Sequence, residues 1–159
     1  MSRPVLKFDA FNCWMKIDEL IDSPYQRNKH TPEQVRVLAK IMLTEGVTHC
    51  ISVKKGTKQI CFGHGRRDGA KLNGWTEFPI KFVEFDNEDQ EWRMTQSDNG
   101  VAKYAELDYA QINIDIPNFG PFDLDLLGIP NFELEPADKY ADKDADGVPE
   151  VKEPFVKTG

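Results

Sequence analysis

The residues whose types and spacing could do chemistry lie together at Gly63-His64-Gly65-Arg66-Arg67. An alternating run through Ile60 and Phe62 ends in Gly-x-Gly, and a short helical stretch with two arginines begins at once. Glycines let a backbone turn tightly and approach a ligand. A helix start offers N–H groups without intrahelical partners and a partial positive charge. Such a start suits a phosphate, and Arg66 can add bidentate hydrogen bonds. The segment lacks both the third glycine of the dinucleotide fingerprint and the Gly-Lys-Ser/Thr of a Walker loop. Spacing alone therefore supports a phosphate-sized anion site, against a tight turn with solvated arginines. His64 has three readings: general acid or base near neutral pH, donor to a phosphate, or filler of the turn.

Two further segments could serve the same site. Arg27-Asn28-Lys29-His30 precedes a capped helix whose start could face the same cleft. Asp98-Asn99 ends a helical stretch and offers polar groups for a metal-bridged phosphate or a sugar. With His64, Asp98 is the candidate catalyst. Lys29, Lys54, Lys55 and Lys58, with Arg27, Arg66 and Arg67, form a basic set suited to a nucleic-acid backbone or, more blandly, to a solvated face.

The elements that must position these groups follow from local signals. Residues 1–14 read as an extended arm, and Met15 to Ile21 as a strand or short turn leading to the loop Ser23–His30. Thr31-Pro32-Glu33-Gln34 combines an N-cap, an N1 proline and a capping-box glutamine. Val35, Leu38, Ala39 and Met42 then share one helical face, and Gly46 supplies the stop. A hairpin is predicted from Thr48 to Phe62, with Ile60 and Phe62 alternating along its second strand. Arg66 to Asn73 reads as a short helix ended by Gly74. Phe78 to Val83 reads as a strand that Pro79 places near a sheet edge. Asn87 to Ser97 reads as a helix with Asn87 as cap and Trp92 and Met94 as apolar positions. Ala102 to Ile112 and Pro121 to Leu127 are candidate helices. The domain is expected over 15–130, with an acidic linker over 131–159.

The chain of 159 residues suffices for one ordinary core. The N-terminus has no apolar stretch of a signal peptide, and no segment is apolar enough to span a membrane. Cys13, Cys50 and Cys61 are odd in number and irregular in spacing, which fits a reducing compartment and no disulfide framework. His49, Cys50, Cys61 and His64 match no zinc module, so no metal ligands are assigned and the strand cysteines are read as core-facing. Residues 1–103 carry 16 basic and 14 acidic groups, a charge of +2, whereas 104–159 carry 4 and 13, a charge of −9, so the net −7 comes from the tail. Asp142 to Glu153 matches a calcium-loop pattern formally, with Gly147 at the sixth position. Pro149 inside it, and Pro154-Phe155 in place of a following helix, favour a solvated acidic linker.

From about Lys16 to Asn99, and more weakly to Leu127, the chain resembles the ParB/sulfiredoxin superfamily. The resemblance is carried by Ser23-Pro24-Tyr25-Gln26-Arg27-Asn28-Lys29-His30, the helix after it, Phe62-Gly63-His64-Gly65-Arg66, and Ser97-Asp98-Asn99. It is most similar to ParB-type domains of phages and mobile elements, which are often fused in front of a DNA-modification methylase. Such fusions continue through an acidic linker into a segment much like Val156-Lys157-Thr158-Gly159. No Asp-Pro-Pro-Tyr or Asn-Pro-Pro-Tyr methylase motif is present. The expectation is an excised N-terminal module, with a stand-alone protein as the alternative.

The resemblance implies an α+β fold: a small mixed β-sheet with flanking helices, a helical C-terminal part and an acidic tail. It implies nucleotide phosphates at the glycine turn, chiefly on Gly63, Gly65 and Arg66. His64, Arg67, Arg27, His30 and Asn99 complete the candidate nucleotide-binding set. ParB proteins proper bind CTP and clamp DNA; other members use ATP or ADP, and some are described as nucleases. The expected ligand is thus CTP, ATP or ADP with Mg2+. DNA and a fused or associated DNA methyltransferase are the expected partners, in the cytoplasm of a bacterial or phage-infected cell. ParB proper has an acidic residue and an arginine where His64 and Gly65 stand, and an arginine where Ala102 stands. Sulfiredoxin has its reactive cysteine at the position of His64, so that activity is rejected. Three functions follow as alternatives: a nucleotide-binding, DNA-associated domain, a nuclease or nucleotide hydrolase, or a non-catalytic module on the DNA backbone.

Overall fold

The computed structural model describes residues 2–136. The calcium-loop match at 142–153, most of the predicted acidic linker and the Val156–Gly159 ending lie outside the described residues. The chain divides into two compact units. The first comprises the chain up to Glu106 together with Asp123–Pro130; the second comprises Leu107–Phe122 and the chain from Asn131.

The first unit is built on a four-stranded mixed sheet. Its strands are β1 (Cys13–Lys16), β2 (Ile51–Lys54), β3 (Ile60–Phe62) and β4 (Glu77–Val83), in the order β1-β4-β2-β3. The β2–β4 pair is parallel and the other two are antiparallel. Residues 2–12 belong to the same unit without forming a named strand, with Lys7 N–H donating to the Val47 carbonyl, Thr76 N–H to that of Ser2, and Leu6 and Phe8 packed against the core. Met15 to Ile21 divides into the end of β1 and a 3-10 turn at Ile17–Glu19. The core gathers Ile51, Val53, Ile60, Phe78 and Ile80 from the sheet, with Ile17, Met42, Ala70 and Trp75 packed against them. Burying such side chains contributes about 1.5–3 kcal/mol each before the entropy of ordering the chain is set against it.

Two strand expectations change. β4 is not an edge strand: β1 pairs with Glu77–Ile80 and β2 with Ile80–Val83. Pro79 therefore sits where β4 has its β1 neighbour but has not yet met β2, which accommodates its missing N–H. The expected alternation of Ile60 and Phe62 also fails. Val53 pairs with Ile60 but Ser52 with Phe62, so Cys61 is an extra residue, a β-bulge. The bulge leaves Ile60 in the core and gives Phe62 the outward face of Ser52.

The helices follow their caps. Helix α1 (Pro32–Glu45) starts where Thr31 Oγ1 accepts from Gln34 N–H at 3.1 Å, and it ends at Gly46. Helix α2 is His64–Leu72, two residues earlier than expected, because Gly63 adopts the left-handed conformation that lets the helix begin immediately. Helix α3 (Glu88–Val101) is capped by Asn87, which accepts from Gln90 N–H at 2.9 Å. It runs past Ser97, so Asp98 and Asn99 lie in its last turn. Trp92 and Met94 are exposed, while the helix buries Glu91 and Thr95. Glu91 can be buried because Lys54 and Gln59 bond its two oxygens at 2.6 and 2.9 Å.

The predicted helix over Ala102–Ile112 is broken: a 3-10 turn spans Ala102–Tyr104, and helix α4 (Tyr109–Phe119) begins anew behind the Asp108 cap. The stretch over Pro121–Leu127 yields only a 3-10 turn at Leu124–Leu127, closed by Gly128. Within the second unit, Asn113 bonds the Tyr109 carbonyl and accepts from Glu135 N–H, and Tyr109 stacks on Phe132. No helix among the described residues is long and apolar enough to cross a membrane.

Candidate functional site

The glycine turn is where β3 passes into α2. Gly63 has φ +102° and ψ +27°, a conformation that disfavours any residue with a Cβ. A methyl group there would also lie 3.2 Å from Arg66 Nη1 and 3.3 Å from Ile51 Cγ1. The first bond into the helix is Arg67 N–H to the Gly63 carbonyl, at 3.1 Å. The N–H groups of His64, Gly65 and Arg66 thus precede the intrahelical ladder, and Gly63 has no side chain to cap them.

A cleft of about 850 Å³ opens over this turn. Of the predicted residues, it brings together His30, Gly63, His64, Gly65, Arg66, Asp98 and Asn99. The loop before α1 also contributes Gln26 and Asn28. That loop is held from two sides: Ser23 N–H donates to His64 Nε2 at 3.1 Å, and Gln96 donates to the Tyr25 carbonyl at 2.9 Å.

Each central side chain has a definite task. His64 is buried, and burial lowers its pKa, with Asp22 pulling in the other direction. Because Nε2 accepts from Ser23, the neutral ring carries its proton on Nδ1, and Nε2 is occupied in this arrangement. Arg66 folds back over Gly63 and donates to the Cys50 carbonyl at 3.2 Å. Burial lowers its pKa, opposed by Cys50 and the Asp98 carboxylate. A guanidinium remains charged at any ordinary pH. Arg66 is therefore a partly buried cation bonded to a carbonyl rather than to a carboxylate. Asn99 donates to the Thr95 carbonyl at 3.3 Å.

The remaining predicted residues stay away from the cleft. Arg67 bonds Asp22 and, at 2.8 Å, Asp68; burial alone would lower its pKa, but these carboxylates raise it. Arg27 is exposed and donates to the Pro24 and Gln26 carbonyls. Lys29 is exposed on the same loop. The hairpin lysines are paired: Lys54 with Glu91 at 2.6 Å, Lys55 with Glu84 at 3.0 Å and Lys58 with Glu19 at 2.7 Å. Burial, then the Glu91 carboxylate, pushes the Cys61 thiol up to about 12, which makes it unreactive at neutral pH.

Several cleft residues were missed in the sequence. Phe62, Ser52 and Lys81 form a row across β3, β2 and β4, and all three line the cleft. Lys81 carried a signal, as the one charge inside the apolar run Phe78–Val83. Phe62 carried none, since it faces the cleft only through the bulge. Phe8, Asp9 and Ala10 of the N-terminal segment form another wall. Aromatic edge-to-face contacts between Phe8 and Phe11, and Phe11 and Trp14, brace that segment.

No family model and no curated protein matches this chain. Solved structures do. The C-terminally truncated chromosome-partitioning protein ParB from Caulobacter crescentus, complexed with CTP-gamma-S, aligns with a TM-score of 0.54 and 21% identity. That alignment covers 65% of this chain and 59% of the ParB chain, so this chain spans about three-fifths of that structure's length. The same protein complexed to the centromeric parS site aligns at 0.45 and 22% identity, covering 65% and 54%. A Pnob8-like ParB-N domain aligns at 0.47 and 17%, covering 69% and 48%. The fold, an α+β arrangement of a small four-stranded mixed sheet with flanking helices, is that of the ParB N-terminal domain.

Proposed function

We propose that this chain is a ParB-like nucleotide-binding, DNA-associated domain whose ligand phosphates sit at the start of α2. One observation carries the reading. His64, Gly65 and Arg66, whose N–H groups precede the helix ladder, line one cleft of about 850 Å³, and among the described residues the Arg66 guanidinium there is hydrogen-bonded to a carbonyl and to no carboxylate. Helix-start donors and a cation held in low dielectric are what a phosphate needs. Fold likeness adds weight, because the aligned ParB structure is complexed with CTP-gamma-S. CTP, ATP and ADP are the candidate ligands. Mg2+ would arrive on their phosphates, with Asp98 and Asp9 as carboxylates of the cleft.

DNA is the second proposed partner, since the aligned protein partitions chromosomes. The proposed contact is to backbone phosphates, which position a protein on DNA without reading its sequence. Membership of a phage or mobile-element DNA-modification protein is the finer form of this proposal, and it rests on the family resemblance alone.

The test is a thermal-stability screen of the purified chain against CTP, ATP and ADP with Mg2+, each with and without duplex DNA. A nucleotide-specific rise in melting temperature is expected. No rise with any nucleotide defeats the reading. Nucleotide and DNA returned intact after long incubation would rule against the enzyme alternative, whose catalyst would have to be His64 or Asp98.

A further inference from the structure

Among the described residues, one buried side-chain nitrogen or oxygen has no hydrogen-bond partner: Nδ1 of His30. Burying a polar atom unpaired is costly, and native proteins leave few such atoms. This one lies in a ring that lines the cleft. His30 is the last residue of the loop before the Thr31 cap of α1, and its ring rests on the first turn of α2. A methyl group on Gly65 would come within 3.1 Å of His30 Cε1 and 3.3 Å of each ring nitrogen. Gly65 does not have the positive φ that would demand glycine. Its missing side chain is instead the volume that the His30 ring occupies.

Two unsatisfied sets of donors therefore meet at one point. The Gly65 N–H precedes the helix ladder, and the ring packed across that residue has a nitrogen with nothing to bond. The same ring lines the cleft over the start of α2. We propose that His30 is a ligand-contacting residue. In this proposal Nδ1–H donates to an anionic phosphoryl oxygen held at the start of α2, and Gly65 is glycine in order to seat the ring. The inference rests on the nucleotide reading above. It adds to that reading a donor from the loop, so that the ligand bridges the Ser23–His30 loop to α2.

The experiment compares His30→Leu and His30→Asn in the full chain. The two side chains are nearly isosteric, but only asparagine can place a donor where Nδ1 stands. Affinity is measured by calorimetry for whichever of CTP, ATP and ADP binds the wild type tightest, for inorganic tripolyphosphate, and for the matching nucleoside. Melting temperature is measured without ligand. The expected result for His30→Leu is a roughly 10- to 100-fold loss of affinity for nucleotide and tripolyphosphate. Nucleoside binding should be unchanged, and the ligand-free melting temperature no lower than wild type. His30→Asn should retain most of the affinity, and Gly65→Ala should weaken it by displacing the ring. A His30→Leu variant that binds nucleotide like wild type overturns the proposal while leaving the nucleotide reading intact. So does a loss that extends equally to the nucleoside, which would make His30 a base contact. A wild-type protein that binds neither nucleotide nor tripolyphosphate overturns both.

Discussion

The start of α2 and the β2–β3 hairpin both show clustered cations in the sequence, and the fold treats them in opposite ways. On the hairpin, Lys54, Lys55 and Lys58 each meet a carboxylate supplied by a different part of the chain. In the cleft, Arg66 meets a backbone carbonyl, and His30 holds a nitrogen with no partner. The contrast recurs between adjacent residues, since Arg67 turns to Asp22 and Asp68 while Arg66 does not. A basic residue is available to an anionic ligand only to the extent that the fold withholds an acidic partner from it. Counting lysines and arginines therefore overstates the hairpin and understates the cleft.

The sharpest way to break this comparison is to remove each arginine. Arg66→Ala should lower nucleotide affinity by roughly 10- to 100-fold, as loss of a charge-assisted bond does. Arg67→Ala should change it by no more than about twofold. Calorimetry on both variants would refute the contrast if the order were reversed. Next in size, Gly63→Ala should cost about 1–3 kcal/mol of stability through the enforced left-handed backbone. Urea unfolding reads that loss, and the nucleotide-induced shift should shrink with it.

On the hairpin, Lys54→Ala leaves the buried Glu91 with only its Gln59 bond. A loss of about 1–2 kcal/mol is expected, reduced from the fully buried case because Lys54 is 39% exposed. Lys55→Ala and Lys58→Ala should each cost less than about 0.5 kcal/mol in the same assay. If the three lysines instead prove equal in stability, and each removal weakens DNA binding and its salt dependence, the hairpin is a nucleic-acid face after all.

The smallest effect concerns His64, whose pKa is lowered from 6.5 in the folded chain. As pH falls below 6.5 the unfolded chain takes up this proton first, so stability should decline until the folded ring protonates as well. In His64→Gln an amide oxygen can still accept from Ser23 N–H, and that share of the acid slope should disappear. A slope unchanged in the variant would mean that other groups account for it.

Much of the fold was legible because its signals are local. Thr31 with Pro32, Asn87, Gly46 and the Gly63 break each act within a turn or two of the backbone, and each begins or ends an element in the structure. In three places where an expectation failed, a distant partner was responsible. Trp92 and Met94 are the apolar positions of α3 by residue type, yet they are exposed, and Lys54 and Gln59 make Glu91 the buried residue. Pro79 suggested an edge, yet a staggered register gives β4 neighbours on both sides. The bulge at Cys61, which turns Phe62 into the cleft, is a property of two paired strands and cannot be read from one.

The sequence by itself determined that a strand must end at Gly63, that a helix must start beside it, and that two arginines follow. These are consequences of backbone freedom and hydrogen-bond supply within a few residues. Only the tertiary structure decided which arginine faces the cleft, which lysines are neutralised, and that His30 rests on Gly65 with an unpaired nitrogen. The reason is range. Backbone conformation is set by near neighbours, whereas partners such as Glu91 for Lys54 arrive from tens of residues away and exist only once the chain has closed.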